Sequence, residues 1–151
     1  MDRARRAVLK RGGAAGILAW LASAGVVSLP ARAAEPVFAI QGVAAVMAAL
    51  GAAGAIESTA VEILAAEIVE NGAMVPVEVV SRLPATRQIA LLVDQNPTTL
   101  AALFELPEGT GARLQTRIKM AKTSDVIALV EAGGGFHVAR REIKIVQGGC
   151  G

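Results

Sequence analysis

The chain has 151 residues, with 15 Lys and Arg against 13 Asp and Glu, one histidine, one cysteine and no tyrosine. A single histidine and a single cysteine leave too few ligands for a zinc or copper site. There is no C-x-x-C-H sequence for haem attachment and no glycine-rich phosphate loop that follows a strand and opens a helix, so the expectation is a protein without metal or cofactor.

At the N-terminal end, Arg5-Arg6-Ala7-Val8-Leu9-Lys10 precedes a weakly apolar Gly/Ala-rich stretch from Gly12 to Leu29, and Pro30 introduces Ala31-Arg32-Ala33. The pattern resembles a twin-arginine signal peptide with an A-x-A cleavage site, which predicts residues 1–33 as a leader and a periplasmic mature chain starting near Ala34. Gly12, Gly13, Gly16 and Gly25 interrupt the apolar stretch and argue against a membrane anchor, so no membrane association is expected after cleavage. The leader carries six of the basic residues and one of the acidic ones, leaving nine basic and twelve acidic in the mature chain. The basic balance belongs to the leader, and nucleic-acid binding loses its main support. Trp20 also lies in the leader. Phe38, Phe104 and Phe136 are then the only aromatic residues, which provide no platform for stacking bases.

Residues 34–58 read as an N-terminal helical segment, because Val43, Val46, Met47 and Leu50 fall at i, i+3, i+4 and i+7 in an Ala-rich stretch ending at Gly51. The period then changes to two. Val61, Ile63 and Ala65 form one alternating run, and Val75, Val77 and Val79 form another, in which Pro76 predicts an edge strand or a bulge. Gln88 to Asp94 reads as a buried strand ended by Asn96-Pro97, and Thr99 to Leu106 as the next, with Pro107-Glu108-Gly109 turning the chain. Leu114, Ile118 and Met120 alternate with Arg113, Arg117 and Lys119, the mark of a half-buried strand. Val126 to Glu131 and Phe136 to Val146 flank Gly133-Gly134-Gly135 and predict a hairpin, with a bulge near Arg140-Arg141. About seven short strands over residues 59–146 predict an all-β, immunoglobulin-like antiparallel sandwich, preceded by a short helix and lacking the internal disulfide.

Residues 147–151 carry the chemistry. Cys150 stands among Gly148, Gly149 and Gly151, which place no side chain in the way of a narrow pocket and leave the backbone free. Cys150 is the fourth residue after Val146, so the thiol reaches roughly 13 Å past the last strand. Two readings remain open for this tail: a tethered carrier arm, and a thiol that pairs with another subunit in a structural or adhesion-type periplasmic sandwich. A dithiol oxidoreductase would need a second, resolving cysteine, which the chain lacks. A Cys150–His137 catalytic pair is disfavoured because His137 starts the strand whose far end carries the cysteine, about 30 Å away at strand rise. The sheet surface is the expected place for His137. The thiol therefore suits a passenger better than a catalyst, and the protein is not expected to be an enzyme.

With these residues in view the chain resembles the SoxY family. Gly148-Gly149-Cys150-Gly151 after a Lys-Ile-Val strand is the hallmark, although the family tail usually has a further glycine after the cysteine. The blocks from Glu70 to Val77, Leu92 to Pro97 and Thr116 to Ala121 also look like its consensus. The resemblance spans about Val61 to Gly151. It implies a sandwich that pairs with a second small sandwich, SoxZ, and a Cys150 that carries sulfur intermediates of thiosulfate oxidation as covalent adducts. The partners it implies are the haem cytochrome SoxAX, which couples thiosulfate to the thiol; the manganese-dependent hydrolase SoxB, which releases sulfate; and in some organisms the molybdenum-haem enzyme SoxCD. Metals and haems would reside in those partners.

Overall fold

The computed structural model describes residues 37–146. A 3-10 turn (Val37–Ala39) and a helix, α1 (Val43–Ala49), precede nine strands among the described residues. These are β1 (Ile56–Glu57), β2 (Val61–Leu64), β3 (Ile68–Val69), β4 (Val75–Ser81), β5 (Thr86–Val93), β6 (Leu100–Glu105), β7 (Arg113–Ile118), β8 (Ser124–Ala132) and β9 (Gly135–Ile145). The large sheet runs β1-β9-β8-β5-β6, with β3 also pairing β9, and the small sheet runs β2-β4-β7. Seven strands are substantial, in line with the sequence. The additional two, β1 and β3, are two-residue strands that pair parallel with opposite ends of β9.

The main core lies between the sheets. Val61, Ile63, Val75, Val77 and Val79 of the small sheet meet Ile89, Leu91, Val93, Val126, Ala128 and Val130 of the large one. Burial of such side chains is the principal stabilising term. The large sheet is covered on its other face as well, where Ala90, Leu92, Leu100, Ile127, Leu129 and Val138 pack under Val46 and Ala52 of the N-terminal segment. This double burial explains why Ile89 to Val93 and Val126 to Val130 are continuous apolar runs and not alternating ones. A helix of seven residues is too short to persist alone, so packing of Val43, Val46, Met47 and Leu50 on the sheet holds it. Gly51, at φ +77°, ends it: Gly51 N–H donates to Ala48 O and Ala52 N–H to Met47 O, a Schellman arrangement.

The Gly-rich turn is confirmed in detail. Gly133 and Gly134 have φ of +59° and +80°, the left-handed pair that a two-residue hairpin requires, and Ala132 pairs with Gly135. Three expectations need correction. The bulge near Arg140-Arg141 is absent, because the β8–β9 register is unbroken from Ala132↔Gly135 to Ser124↔Ile143. Both arginines nonetheless reach the surface from one regular strand. Arg140 pairs with Glu57, while Arg141 points the other way and escapes at the sandwich rim, 3.4 Å from the Ile63 carbonyl.

Pro76 is in neither an edge strand nor a bulge, since β4 is the central strand of the small sheet. Its missing N–H is tolerated because pairing with β2 stops at Leu64↔Glu78, which leaves Pro76 opposite Arg117 alone. His137 is half-buried in β9, not at the sheet surface, flanked by Ile56 of β1 and Val130 of β8, and its Nδ1 is buried without a hydrogen-bond partner.

Candidate functional site

The end of β9 is where the sequence places the chemistry, and its last residues change partners. β8 accompanies β9 only as far as Ile143. Beyond it, β3 takes over in parallel register, Ile68 beside Lys144 and Val69 beside Ile145. Lys144 N–H donates to Glu67 O at 2.8 Å, Ile145 N–H to Thr123 Oγ1 at 3.0 Å, and Val146 N–H to Val69 O at 3.0 Å. Ile145 is half-buried against the main core and fixes the strand in position. Lys144 Nζ lies 3.0 Å from Glu67 Oε1. That hydrogen bond, followed by the charges of Glu67 and Glu142, raises the Lys144 pKa above its ordinary value.

The three internal blocks that carry the family resemblance gather at this end. Asn71 Oδ1 accepts from Ala73 N–H at 3.0 Å in an Asx turn, and Gly72 O accepts from Met120 N–H at 2.7 Å. Gly72 has no room for a side chain: a Cβ there would overlap the Met120 carbonyl oxygen and touch Ile145 Cγ2. Asn96 joins the second block to the third, its Nδ2 donating to Lys119 O at 2.7 Å and its Oδ1 accepting from Ala121 N–H at 2.9 Å. Gln95 N–H donates to Ser124 Oγ at 3.0 Å, at the start of β8. Together these contacts fix the point at which β9 ends. In the sequence, Asn71-Gly72 and Asn96-Pro97 stand out as parts of the family blocks, and Asn96-Pro97 as a strand end, but Thr123 and Ser124 carry no visible role. The available signal was a set of Asn, Gly, Ser and Thr residues placed just outside apolar runs, where side chains bond to backbone.

Next to this end, the chain leaves β4 after Leu64 and pairs with β9 as β3, and a groove of about 750 Å³ is lined by Leu64, Ala65, Ala66, Pro76, Val77, Glu78 and Gln115 to Arg117. Glu78 lies in it. Gln115 Nε2 donates to Glu78 Oε2 at 2.9 Å, while Arg113 Nε forms an ion contact at 2.5 Å with Oε1, without hydrogen-bond alignment. The Gln115 bond first, and then Arg113, lower the Glu78 pKa despite opposing desolvation.

Arg5, Arg6, Gly148, Gly149, Cys150 and Gly151 lie outside the described residues. What the structure places is the anchor, Val146, four residues before the thiol. His137 stands at the other end of β9, nine residues upstream of Val146. Among the described residues, no three His, Cys, Asp or Glu side chains come together as metal ligands, and no helix is long and apolar enough to cross a membrane.

A small sandwich with a helical cover and a structured base for a cysteine-bearing tail is the architecture the site defines. The family model for the sulfur oxidation protein SoxY matches residues 46–150, and the chain belongs to that family. The structure of the sulfur carrier protein SoxY from Chlorobium limicola f thiosulfatophilum is similar at 35% identity and a TM-score of 0.58, covering 64% of this chain and 86% of that one. A superoxide reductase (neelaredoxin) from Ignicoccus hospitalis is similar at 20% identity and a TM-score of 0.51, covering 57% of this chain and 80% of that one, and shares the fold alone. None of the curated proteins compared matches the chain significantly.

Proposed function

We propose that this protein is the periplasmic sulfur carrier of thiosulfate oxidation, with Cys150 as the covalent attachment site and Gly148, Gly149 and Gly151 as the flexible flanks of its arm. The observation that carries this reading is the anchoring of Ile145 by Thr123 and Gly72 and of Val146 by Val69 of β3, four residues before the family's cysteine. A firmly held root followed by glycines leaves the backbone before the thiol few steric restrictions on its φ and ψ.

The chemistry asks little of the carrier. Cys–SH and thiosulfate couple to Cys–S–S–SO₃⁻ with loss of one proton and two electrons, which the haem cytochrome SoxAX accepts. Water then cleaves the outer sulfur–sulfur bond on the hydrolase SoxB, releasing sulfate and two protons and leaving Cys–S–S⁻. Where SoxCD is present, it oxidises that remaining sulfane sulfur. SoxZ is the heterodimer partner, and the pair is exported together by the twin-arginine route read from Arg5-Arg6. The carrier's own tasks are to expose one thiol, to reach, and to stay folded while the adduct changes.

Cys150→Ser tests this reading, because oxygen cannot form the sulfur–sulfur bond. Thiosulfate-dependent turnover is expected to vanish while circular dichroism and SoxZ pull-down stay as in the wild type. Turnover that persists in Cys150→Ser would end the carrier reading. For export, replacing Arg5 and Arg6 together by Lys is expected to retain both subunits in the cytoplasm. A SoxZ that still reaches the periplasm would show independent transport.

A further inference from the structure

We propose that Asn71 is a site of spontaneous modification: its side-chain amide is lost through a cyclic imide formed with the backbone nitrogen of Gly72, and the isoaspartyl product loosens the root of the arm. The reaction belongs to the chain itself and does not depend on the carrier reading. In the first step Gly72 N attacks Asn71 Cγ, the bond from Cγ to Nδ2 breaks, and ammonia leaves with the proton from Gly72 N. Water then opens the imide at either of its two carbonyls. The net change is asparagine plus water to an aspartyl or isoaspartyl residue plus ammonia, with no oxidation or reduction.

The turn brings the requirements together. Asn71 is exposed in the loop between β3 and β4, so water reaches it. Its Oδ1 accepts from Ala73 N–H at 3.0 Å, a bond that draws electron density from Cγ and stabilises the oxyanion formed on attack. Gly72 has no side chain to hinder the approach, and among the described residues its N–H donates to no acceptor, which leaves the nitrogen uncommitted. The fold also selects this pairing, since a Cβ at position 72 would overlap the Met120 carbonyl oxygen. The other asparagine of the chain, Asn96, is followed by Pro97, whose nitrogen carries no proton, and both ends of its side chain are bound, to Lys119 O and Ala121 N–H. It serves as an internal control.

The two products differ in consequence. An aspartyl residue keeps the main chain as it is and still accepts from Ala73 N–H. An isoaspartyl residue routes the main chain through the former side-chain carbonyl and adds one methylene between Cα of residue 71 and Gly72 N. Gly72 then cannot keep both its 2.7 Å bond from Met120 N–H and its place beside Ile145, the contacts that locate the end of β9.

The experiment incubates the mature full-length chain in mildly alkaline buffer and follows it by peptide mass spectrometry and by methylation with protein isoaspartyl methyltransferase. The peptide containing Asn71 is expected to gain the mass of an amide-to-acid exchange and to accept methyl groups, and the peptide containing Asn96 to do neither. Asn71→Gln is expected to slow the mass change at least about tenfold, because a six-membered imide closes more slowly. The amides of Met120 and Ile145 are expected to exchange faster in the isoaspartyl fraction and at the wild-type rate in Asn71→Asp. An Asn71 amide that survives in the folded chain and is lost only in urea would overturn the proposal, because the turn would then protect the pair. Equal modification at Asn96 would overturn it too, by removing the role of Gly72. An isoaspartyl fraction with wild-type exchange at Met120 and Ile145 would overturn the loosening of the root.

Discussion

From Gly135 to Ile143, β9 runs beside β8 without interruption, and its Val138 and Ile143 are almost completely buried; from Lys144 to Val146 it has lost β8 and is held by a two-residue strand and one threonine. The first stretch belongs to a sheet buried on both faces, where apolar area supplies the stability. The second is held by hydrogen bonds and a close glycine contact, which specify position more than they contribute energy. The contrast separates two demands on a carrier, a body that does not yield and a root that aims the thiol.

The largest effect is expected from breaking the body. Leu129 is 1% exposed under the N-terminal cover, so Leu129→Ala is expected to cost about 2–5 kcal/mol in urea unfolding. Thiosulfate turnover should fall only in proportion to the unfolded fraction. A turnover defect in fully folded Leu129→Ala protein would mean that body and root are not separable.

A smaller effect is expected at the root. Gly72→Ala puts a methyl group on the Met120 carbonyl and against Ile145, an overpacking worth about 1–3 kcal/mol. Here the amides of Ile145 and Val146 should exchange faster while those of Val138 and Ile143 change little. Uniform acceleration along β9 would erase the distinction between its two parts.

The smallest concerns pH. Glu78 has a lowered folded pKa, so its stabilisation is fully present above the unfolded value near 4.5 and is lost as pH falls through the folded value. Glu78→Gln is expected to flatten the decline of the urea midpoint below that pH without changing arm delivery at neutral pH. An unaltered acid profile would remove Glu78 from the account.

The body was the more legible part. Period-two runs at Val61, Val75 and Leu114 and the triglycine turn placed the strands because alternation and left-handed φ leave direct traces in composition. Two successive arginines at 140 and 141 misled, since regular alternation and a bulge both bring a charge to the surface when the strand lies at the rim. Pro76 misled for a related reason: a proline reports a missing hydrogen bond, which the end of β2 pairing supplies inside a central strand as well as an edge does. At the site, a glycine-flanked cysteine is visible in one glance along the chain. Its support is not, because Gly72, Asn96 and Thr123 are dispersed in sequence and meet only when the fold brings the ends of β3, β7 and β9 together.

The central claim, that a fixed root presents Cys150 as a sulfur-bearing thiol, is tested most directly by mass spectrometry of the peptide containing Cys150. The mature protein would be incubated with thiosulfate and the haem cytochrome and then analysed without reductant. The account predicts a thiosulfonate on Cys150 that a reductant removes and that Cys150→Ser cannot acquire. A free thiol throughout, or only a disulfide between two protein chains, would contradict it.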